Sequence, residues 1–489
     1  MNHPEWGITS DHFQLPEKIL QFGTGVLLRG LVDYLVDNAN KQGVFNGRIA
    51  IVKSTDGGDA AAFHAQDGLF TTHIKGVSQG KPVDQYLINA SISRVLQSNA
   101  DWEAVLEAAC QPSMEIIVSN TTEVGIQYVE ENVGAGVPAS FPGKLLAILF
   151  ERHRRKLPGF VIIPTELVVD NGELLRSIVL KLATFNQMPE QFIQWISQGN
   201  RFCSSLVDRI VPGRPKNLAD YWKEAGYEDE LWIDSEPFLL WAIEGDAGVA
   251  QKLAFHQTDD RMLIAPSITP YREQKLRILN GSHTAAVTLG YLSGLNTVYE
   301  CMQDPHMRRF FETVVKAEIL PTLENLGPQV ATFAADVLDR FDNPSIEHKL
   351  ISITFQQSSK MNARNVQTML RYRESKGLLP EMMLLGFACT LLFLKPAREH
   401  DGKFQGQRGD QFYDITDENA AIFAAYWKSV AKTGYPEISA MVRDICGDDR
   451  LWQTDLNQLP GFADTVTDHL IGMMQNGVKE YIIHHSKVL

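Results

Sequence analysis

The stretch KILQFGTGVLLRGLVDYLVDNANKQGVFNGRIAIV, residues 18–52, decides the fold. KILQF (18–22) is a short apolar run that predicts a strand, Gly23-Thr24-Gly25 a turn, and VLLRGLVDYLVDNANKQG a helix ending at Gly43, because its apolar residues recur at helical spacing. RIAIV (48–52) then predicts a second buried strand, completing a strand–helix–strand unit of the kind that builds a parallel sheet. Further on, MEIIVSN (114–120) and FVIIPTEL (160–167) repeat the pattern of a β-branched run preceded by a helical segment. From about Tyr271 the character changes to long helical patterns, such as GSHTAAVTLGYLSGL and EMMLLGFACTLLFL, with few β-branched alternations. Residues 196–235 carry polar, Pro- and Gly-containing sequence and read as loops with an appended element. The expectation is an α/β chain of two domains: a Rossmann-type N-terminal domain with a parallel sheet over 1–270, then a mainly α-helical substrate-binding domain over 271–489, with the site in the cleft between them.

Bulk properties bound the function. The chain has 489 residues, 44% of them hydrophobic and 21% charged, enough for two cores and too apolar for disorder. A formal charge of −14 argues against a sequence-independent nucleic-acid binder, which needs a basic footprint, so an anionic ligand must meet a local positive site. Cys110, Cys203, Cys301, Cys389 and Cys446 are odd in number and far apart in sequence, which predicts reduced thiols in a cytoplasmic protein. MNHPEWGITSDHF shows no signal peptide, and the apolar run Met382 to Leu394 is about half the length that crosses a bilayer, so no membrane association is expected. There is no HExxH, GxSxG or GxxxxGK[ST] pattern. His484-His485 forms a metal-capable pair but reads as a solvated tail, and no metal is expected.

Two features carry chemistry. In Gly23-x-Gly25 the first glycine permits a tight turn, and the second lets a pyrophosphate approach the amides of the following helix. The third glycine of the GxGxxG fingerprint should fall at 28, where Leu28 stands, with Gly30 two residues later; alone the turn fits a nucleotide site or a purely structural bend. The acidic residue that would bind a ribose hydroxyl is Asp56, whereas Lys53 suits the extra phosphate of NADP. The second feature is YREQKLRILNGSH (271–283), which sets Lys275, Asn280 and His283 before a very apolar helix. On one continuous helix they fall within an arc of about 140°, with Lys275 and His283 about 12 Å apart along the axis unless the helix breaks at Asn280-Gly281. The trio suits ketone reduction, which needs a proton donor at the carbonyl oxygen and hydrogen bonds to the developing alkoxide. An exposed lysine, an Asn-Gly turn and a helix-terminal histidine explain the same letters.

Resemblance separates those alternatives. YREQKLRILNGSH is similar to the K-x4-N-x2-H motif of the polyol-specific long-chain dehydrogenases, the family of mannitol 2-dehydrogenase and the hexuronate reductases. The likeness continues through QFGTGVLLRG, QDGLFTTHIKG (66–76), SNTTEVGI (119–126), FPGKL (141–145), FCSSLVDRIVPG (202–213), EPFLLWAIEG (236–245) and RFDNPSIEHKL (340–350), and SNTTE with FPGK resembles the hexuronate reductase branch most. It implies an NAD-dependent oxidoreductase, Lys275 as general acid/base, Asn280 polarising the carbonyl and His283 orienting the substrate oxygen. At the cofactor it implies Gly23, Gly25, Leu27, Arg29, Asp56, Asn120, Thr121 and Glu123. Where mannitol dehydrogenase resembles this chain but carries CDNL, the stretch here is Thr165-Glu166-Leu167-Val168, and Leu167 has no side-chain donor. That favours a sugar acid, whose carboxylate would want an arginine fork or a lysine; Arg209, Arg340, Lys360 and Arg364 are the candidates, with His348 beside them. A monomer or homodimer is expected.

Overall fold

The computed structural model describes residues 6–54, 60–121, 124–134, 136–430 and 434–485. The chain divides into two compact units, Met1–Gly76 with Pro82–Tyr271, and Val77–Lys81 with Arg272–Leu489.

The first unit is built on a six-stranded sheet, β1 (Glu17–Phe22), β2 (Arg48–Lys53), β3 (Ile92–Gln97), β4 (Ile116–Ser119), β5 (Val161–Pro164) and β6 (Arg201–Phe202), in the order β3-β2-β1-β4-β5-β6. Every pairing is parallel, with Leu20 opposite Ala50 on one side and Ile117 on the other. A parallel sheet has both faces covered, so its strands read as unbroken apolar runs, and alternate residues enter different cores. Ile19, Ile49, Ile51, Ile116 and Val118 pack into one core, while Leu20, Ala50, Val52 and Ile117 pack into the other. The strand order reverses between β1 and β4, the point at which open α/β sheets leave a crevice at the carboxyl ends of their strands. The appended sequence at 196–235 holds more regular structure than its turn-rich composition suggests: strands at Ser205–Asp208 and Ile233–Ser235 and a helix at Leu218–Ala225.

The helix after β1 runs from 26 to 41, with a π-helical turn at Arg29–Asp33. Gly30 lies where this helix meets the segment following Ser205–Asp208. A Cβ there would sit 2.8 Å from Cγ2 of Val211. The close-packing role usual for the third fingerprint glycine is thus met by Gly30, and Leu28 is free to be a fully buried core residue.

The second unit is mainly helical. Its most apolar helix, Glu381–Phe393, is buried along nearly its whole length, and Glu318 accepts from the first-turn amides of Met382 (2.7 Å) and Met383 (2.8 Å). Among the described residues no helix is long and apolar enough to cross a membrane. One departure from the helical expectation is a three-stranded antiparallel sheet, Arg398–His400, Lys403–Arg408 and Gln411–Asp414. Its Asp401-Gly402 turn is a hairpin signal, but the strands are polar and mostly exposed, so they lack the apolar alternation that marks a half-buried strand.

Replacing Gly30 by Val forces branched carbons onto Val211 and is expected to cost about 1–3 kcal/mol, the usual range for overpacking. Urea unfolding measures it, and a wild-type midpoint would mean that the helix and Val211 are not in tight contact.

Candidate active site

In the first unit, β1 ends at Phe22 and the chain turns at Gly23, whose φ of +127° is a conformation that L side chains rarely adopt. A Cβ on Gly23 would also lie 3.0 Å from the carbonyl oxygen of Asn120, so the turn after β1 and the segment after β4 are tightly apposed. Gly25 precedes the helix, is exposed, and has nothing within 4 Å of where its Cβ would be; no side chain caps the helix start there. These are the features of a turn that admits a phosphate to backbone amides.

Asn120 and Thr121 flank this turn. Nδ2 of Asn120 donates to Oγ1 of Thr165 (2.9 Å), and the amide and hydroxyl of Thr121 both donate to Oε1 of Glu166 (2.8 and 2.9 Å). Glu166 also accepts from Ser119 (3.1 Å) and is 2% exposed; burial raises its pKa against the pull of these hydrogen bonds. Glu166 is therefore the brace of the segment after β4. The sequence shows it only as an acid directly after an apolar strand. Leu167 is 63% exposed, as are Val124 and Val169 in large part, so apolar side chains collect at the carboxyl ends of β4 and β5.

Two residues assigned to ligands lie instead inside this unit. Arg29 is 4% exposed, donates to the carbonyl of Leu231 and stands over the rings of Phe63 and Phe70, which leaves its guanidinium turned into the core rather than toward a cofactor. Arg209 is committed to the carbonyls of Gly30 and Glu236, the latter at 2.9 and 3.2 Å, and lies over Tyr34; burial pulls its pKa down to about 10. It clamps the helix 26–41, and its guanidinium is spent on backbone carbonyls rather than open to a substrate carboxylate. Leu27 is half-buried against the same core. Lys53 is 4% exposed. Asp56 and Glu123 lie outside the described residues.

In the second unit the helix carrying the Lys-Asn-His motif does not break at Asn280-Gly281. It continues from 269 to 292 through a π-helical turn, Lys275–Gly281, so the angular spacing of a regular α-helix does not apply there. A second π-helical turn, Met361–Val366, crosses it. A widened turn leaves carbonyls short of their usual amide partners, and each turn supplies donors to the other. Arg277 Nη1 donates to the carbonyls of Ala363 (2.9 Å) and Arg364 (3.0 Å), and Asn365 Nδ2 donates to that of Gly281 (2.9 Å). Arg364 Nη1 reaches Oγ1 of Thr284 (3.1 Å), which itself donates to the carbonyl of Asn280 (2.9 Å).

Lys360 and Arg364 from this crossing, with Arg340 at the end of the helix Gln329–Phe341 and His348 beyond it, surround His283. The imidazole is 8% exposed, stacks on Phe341 at 4.3 Å and meets His348 edge-on at 5.1 Å. Its Nε2 is buried without a hydrogen-bond partner. Burial holds its pKa well below the ordinary 6.5, and His348, Arg340, Arg364 and Lys360 push in the same direction. His348 is also lowered, by burial and by Arg340. Burial brings Arg364 to about 10 and lowers Lys360, whose ammonium donates to the carbonyl of Ile353 at 3.0 Å. Asp417 offsets Lys360 in part, but its carboxylate is engaged by the amide (2.7 Å) and hydroxyl (2.6 Å) of Ser358. The result is a buried neutral histidine with an unpartnered nitrogen, ringed by cations, in a chain of net charge −14. Lys275 and Asn280 lie half-buried on the same π-helical turn that leads to His283. Sequence reading missed Phe341, Thr284, Arg277 and Asn365; an aromatic at the end of a helix and an asparagine inside one carry no signal of their own.

Residues 17–257 match the mannitol dehydrogenase Rossmann domain and residues 267–471 the mannitol dehydrogenase C-terminal domain. An altronate oxidoreductase of Bacillus subtilis (strain 168) is 37% identical over 489 residues, covering 98% of each chain. One from Yersinia pestis is 35% identical over 96% of this chain and 97% of its own. Among solved structures, a D-sorbitol dehydrogenase in substrate-free form shares the fold with a TM-score of 0.77 at 20% identity, covering 99% of both chains. Pseudomonas fluorescens mannitol 2-dehydrogenase, in a ternary complex with NAD and D-mannitol, shares it at 0.65 and 22%, over 97% of this chain and 95% of that one. Fold and relatives together define a Rossmann-fold oxidoreductase. The chain belongs to the mannitol dehydrogenase family.

Two stability measurements check the site. Above about pH 6.5 His283 is neutral folded or unfolded and its contribution is complete; as pH falls the unfolded chain takes up the proton first, so stability is lost. A plot of unfolding midpoint against pH from about 7 to 5 should be shallower for His283→Gln than for wild type. Arg209→Met leaves buried carbonyls unpaired and should destabilise by roughly 1–3 kcal/mol, with an unchanged KM for substrate in steady-state assays; a large rise in KM would return Arg209 to the substrate.

Proposed function

We propose that the chain catalyses the NAD-dependent, reversible reduction of a keto-hexuronate, tagaturonate to altronate. The observation that carries this reading is the convergence of Arg340, Lys360 and Arg364 on the unpartnered, neutral His283. A neutral polyol has no need of such a charge, whereas a sugar acid brings a carboxylate that repays the burial of guanidinium and ammonium groups. The altronate oxidoreductases that match over nearly the full length support the same substrate class.

NAD would be held in the first unit at the turn Gly23–Gly25, by amides of the following helix and by the segment Asn120-Thr121 that Glu166 braces. The open space at Gly25 and the uncapped helix start fit a pyrophosphate. Buried Lys53 is poorly placed to clamp a 2′-phosphate, which favours NAD over NADP. When bound, the reduced cofactor supplies the hydride to the keto carbon. Lys275 gives a proton to the developing alkoxide and takes it back in the oxidative direction; Asn280 donates a hydrogen bond to the carbonyl oxygen, and neutral His283 orients a substrate oxygen through Nε2. Lys360 and Arg364 hold the carboxylate, with Arg340 and His348 completing the basic wall.

Lys275→Ala should bind NADH normally yet lose at least about 10²-fold in turnover, the low end of general acid–base contributions; near-normal turnover removes Lys275 from the mechanism. Arg364→Met should raise KM for the keto acid by roughly 10- to 100-fold, the worth of a charge-assisted hydrogen bond, without changing whatever turnover wild type shows with uncharged fructose. NADH oxidation with tagaturonate, fructuronate and fructose side by side settles the substrate. Preference for fructuronate or fructose would make the chain a fructuronate reductase or a mannitol-type dehydrogenase, and tight NADH binding with no turnover would make it a catalytically inactive nucleotide-binding protein.

A further inference from the structure

His485, the second of the paired histidines near the C-terminus, does not project alone into solvent. It lies on the helix Val478–His485 and faces His469 on the helix Phe462–Asn476, their rings 5.0 Å apart. Both Nε2 atoms stand 3.2 Å from the same oxygen, Oε1 of Glu381, the first residue of the apolar helix Glu381–Phe393. Three helices of the second unit thus bring two imidazole nitrogens and a carboxylate oxygen to within 4.8 Å of one another, the one such group of three found among the described residues.

We propose that Glu381, His469 and His485 form a transition-metal site, of the class that takes Zn²⁺, separate from the residues assigned to catalysis. Two ligands of a tetrahedral ion bound at about 2.0–2.1 Å stand roughly 3.3 Å apart, which matches both nitrogen–oxygen separations. His469 is 2% exposed, and its Nε2, 3.2 Å from Oε1 of Glu381, makes no hydrogen bond. A buried imidazole nitrogen that faces a carboxylate oxygen and a second imidazole is placed as a ligand would be. The outer groups agree. Nδ1 of His469 is 3.1 Å from the Tyr481 hydroxyl, and the Tyr481 ring stacks on His485 at 5.3 Å, so one tyrosine sets the orientation of both imidazoles, as partners behind metal ligands do. The histidines bind as neutral imidazoles through Nε2, with the remaining ring proton on Nδ1. Glu381 and His485 are part-exposed, and water completes the coordination on that side. Two imidazoles and one carboxylate suit zinc, nickel or copper and disfavour magnesium or calcium, which prefer oxygen ligands alone. The ion would pin the helix 478–485 to the buried helix 381–393.

Untagged protein stripped with a chelator and titrated with Zn²⁺ by isothermal calorimetry should bind one ion per chain saturably, with no heat from Mg²⁺, and zinc should raise its Tm. Tyr481→Phe should weaken binding by roughly 10-fold, the lower end of the effect of a group behind the ligands. His469→Gln with His485→Gln should abolish it, circular dichroism confirming the fold of the double variant. Co²⁺ in place of Zn²⁺ should give the visible bands of a tetrahedral centre in wild type alone. The proposal is overturned if zinc binds no more tightly to wild type than to the double variant, or if the stripped protein shows no saturable site.

Discussion

The second unit depends on the exchange of hydrogen bonds between two π-helical turns. Arg277 reaches from 275–281 to carbonyls of 361–366, and Asn365 reaches back to Gly281. Each turn alone would bury backbone carbonyls short of partners, at a cost of about 1–3 kcal/mol per group; crossed, each supplies what the other lacks. The same crossing positions the side chains to which we assign the chemistry, since Lys275 and Asn280 sit on one turn and Lys360 directly precedes the other, which carries Arg364. Arg364 is locked further by Thr284, one residue after His283. Wide turns at a functional site are a recurring device, because they rotate successive side chains away from regular helical spacing.

Burial then sets the electrostatics. Phe341, itself packed on Phe311 with ring centres 5.1 Å apart, stacks on His283, and burial together with the surrounding cations keeps the imidazole neutral. A neutral imidazole can offer a hydrogen bond to a hydroxyl without adding to the charge that the surrounding cations already supply. In the first unit an analogous economy of parts appears around Glu166, one buried carboxylate that orders the segment after β4 through three hydrogen bonds.

The parallel sheet was readable because strands covered on both faces leave continuous apolar runs such as ILQF and IAIV. The glycine turn was readable as a bend but ambiguous as a fingerprint, since Gly30 takes a packing role two residues late and only its approach to Val211 reveals it. The Lys-Asn-His segment was readable through resemblance; its geometry was not, because a π-helical turn has no residue signature of its own and is held by tertiary hydrogen bonds, so neither a regular helix nor a break at Asn280-Gly281 describes it. Arg29 and Arg209 misled for a related reason. An arginine near a ligand motif looks like a ligand until its guanidinium is found on backbone carbonyls inside the unit. Of the basic residues named for a substrate carboxylate, Arg340, Lys360 and Arg364, with His348, lie around one imidazole, whereas Arg209 does not.

The most direct measurement of the account is a crystal structure of the protein with NAD and altronate. The carboxylate should lie within hydrogen-bond distance of Lys360 and Arg364, with a substrate oxygen on Nε2 of His283 and the carbinol oxygen on Lys275. A carboxylate turned to solvent, or held by residues outside this basic wall, would contradict it.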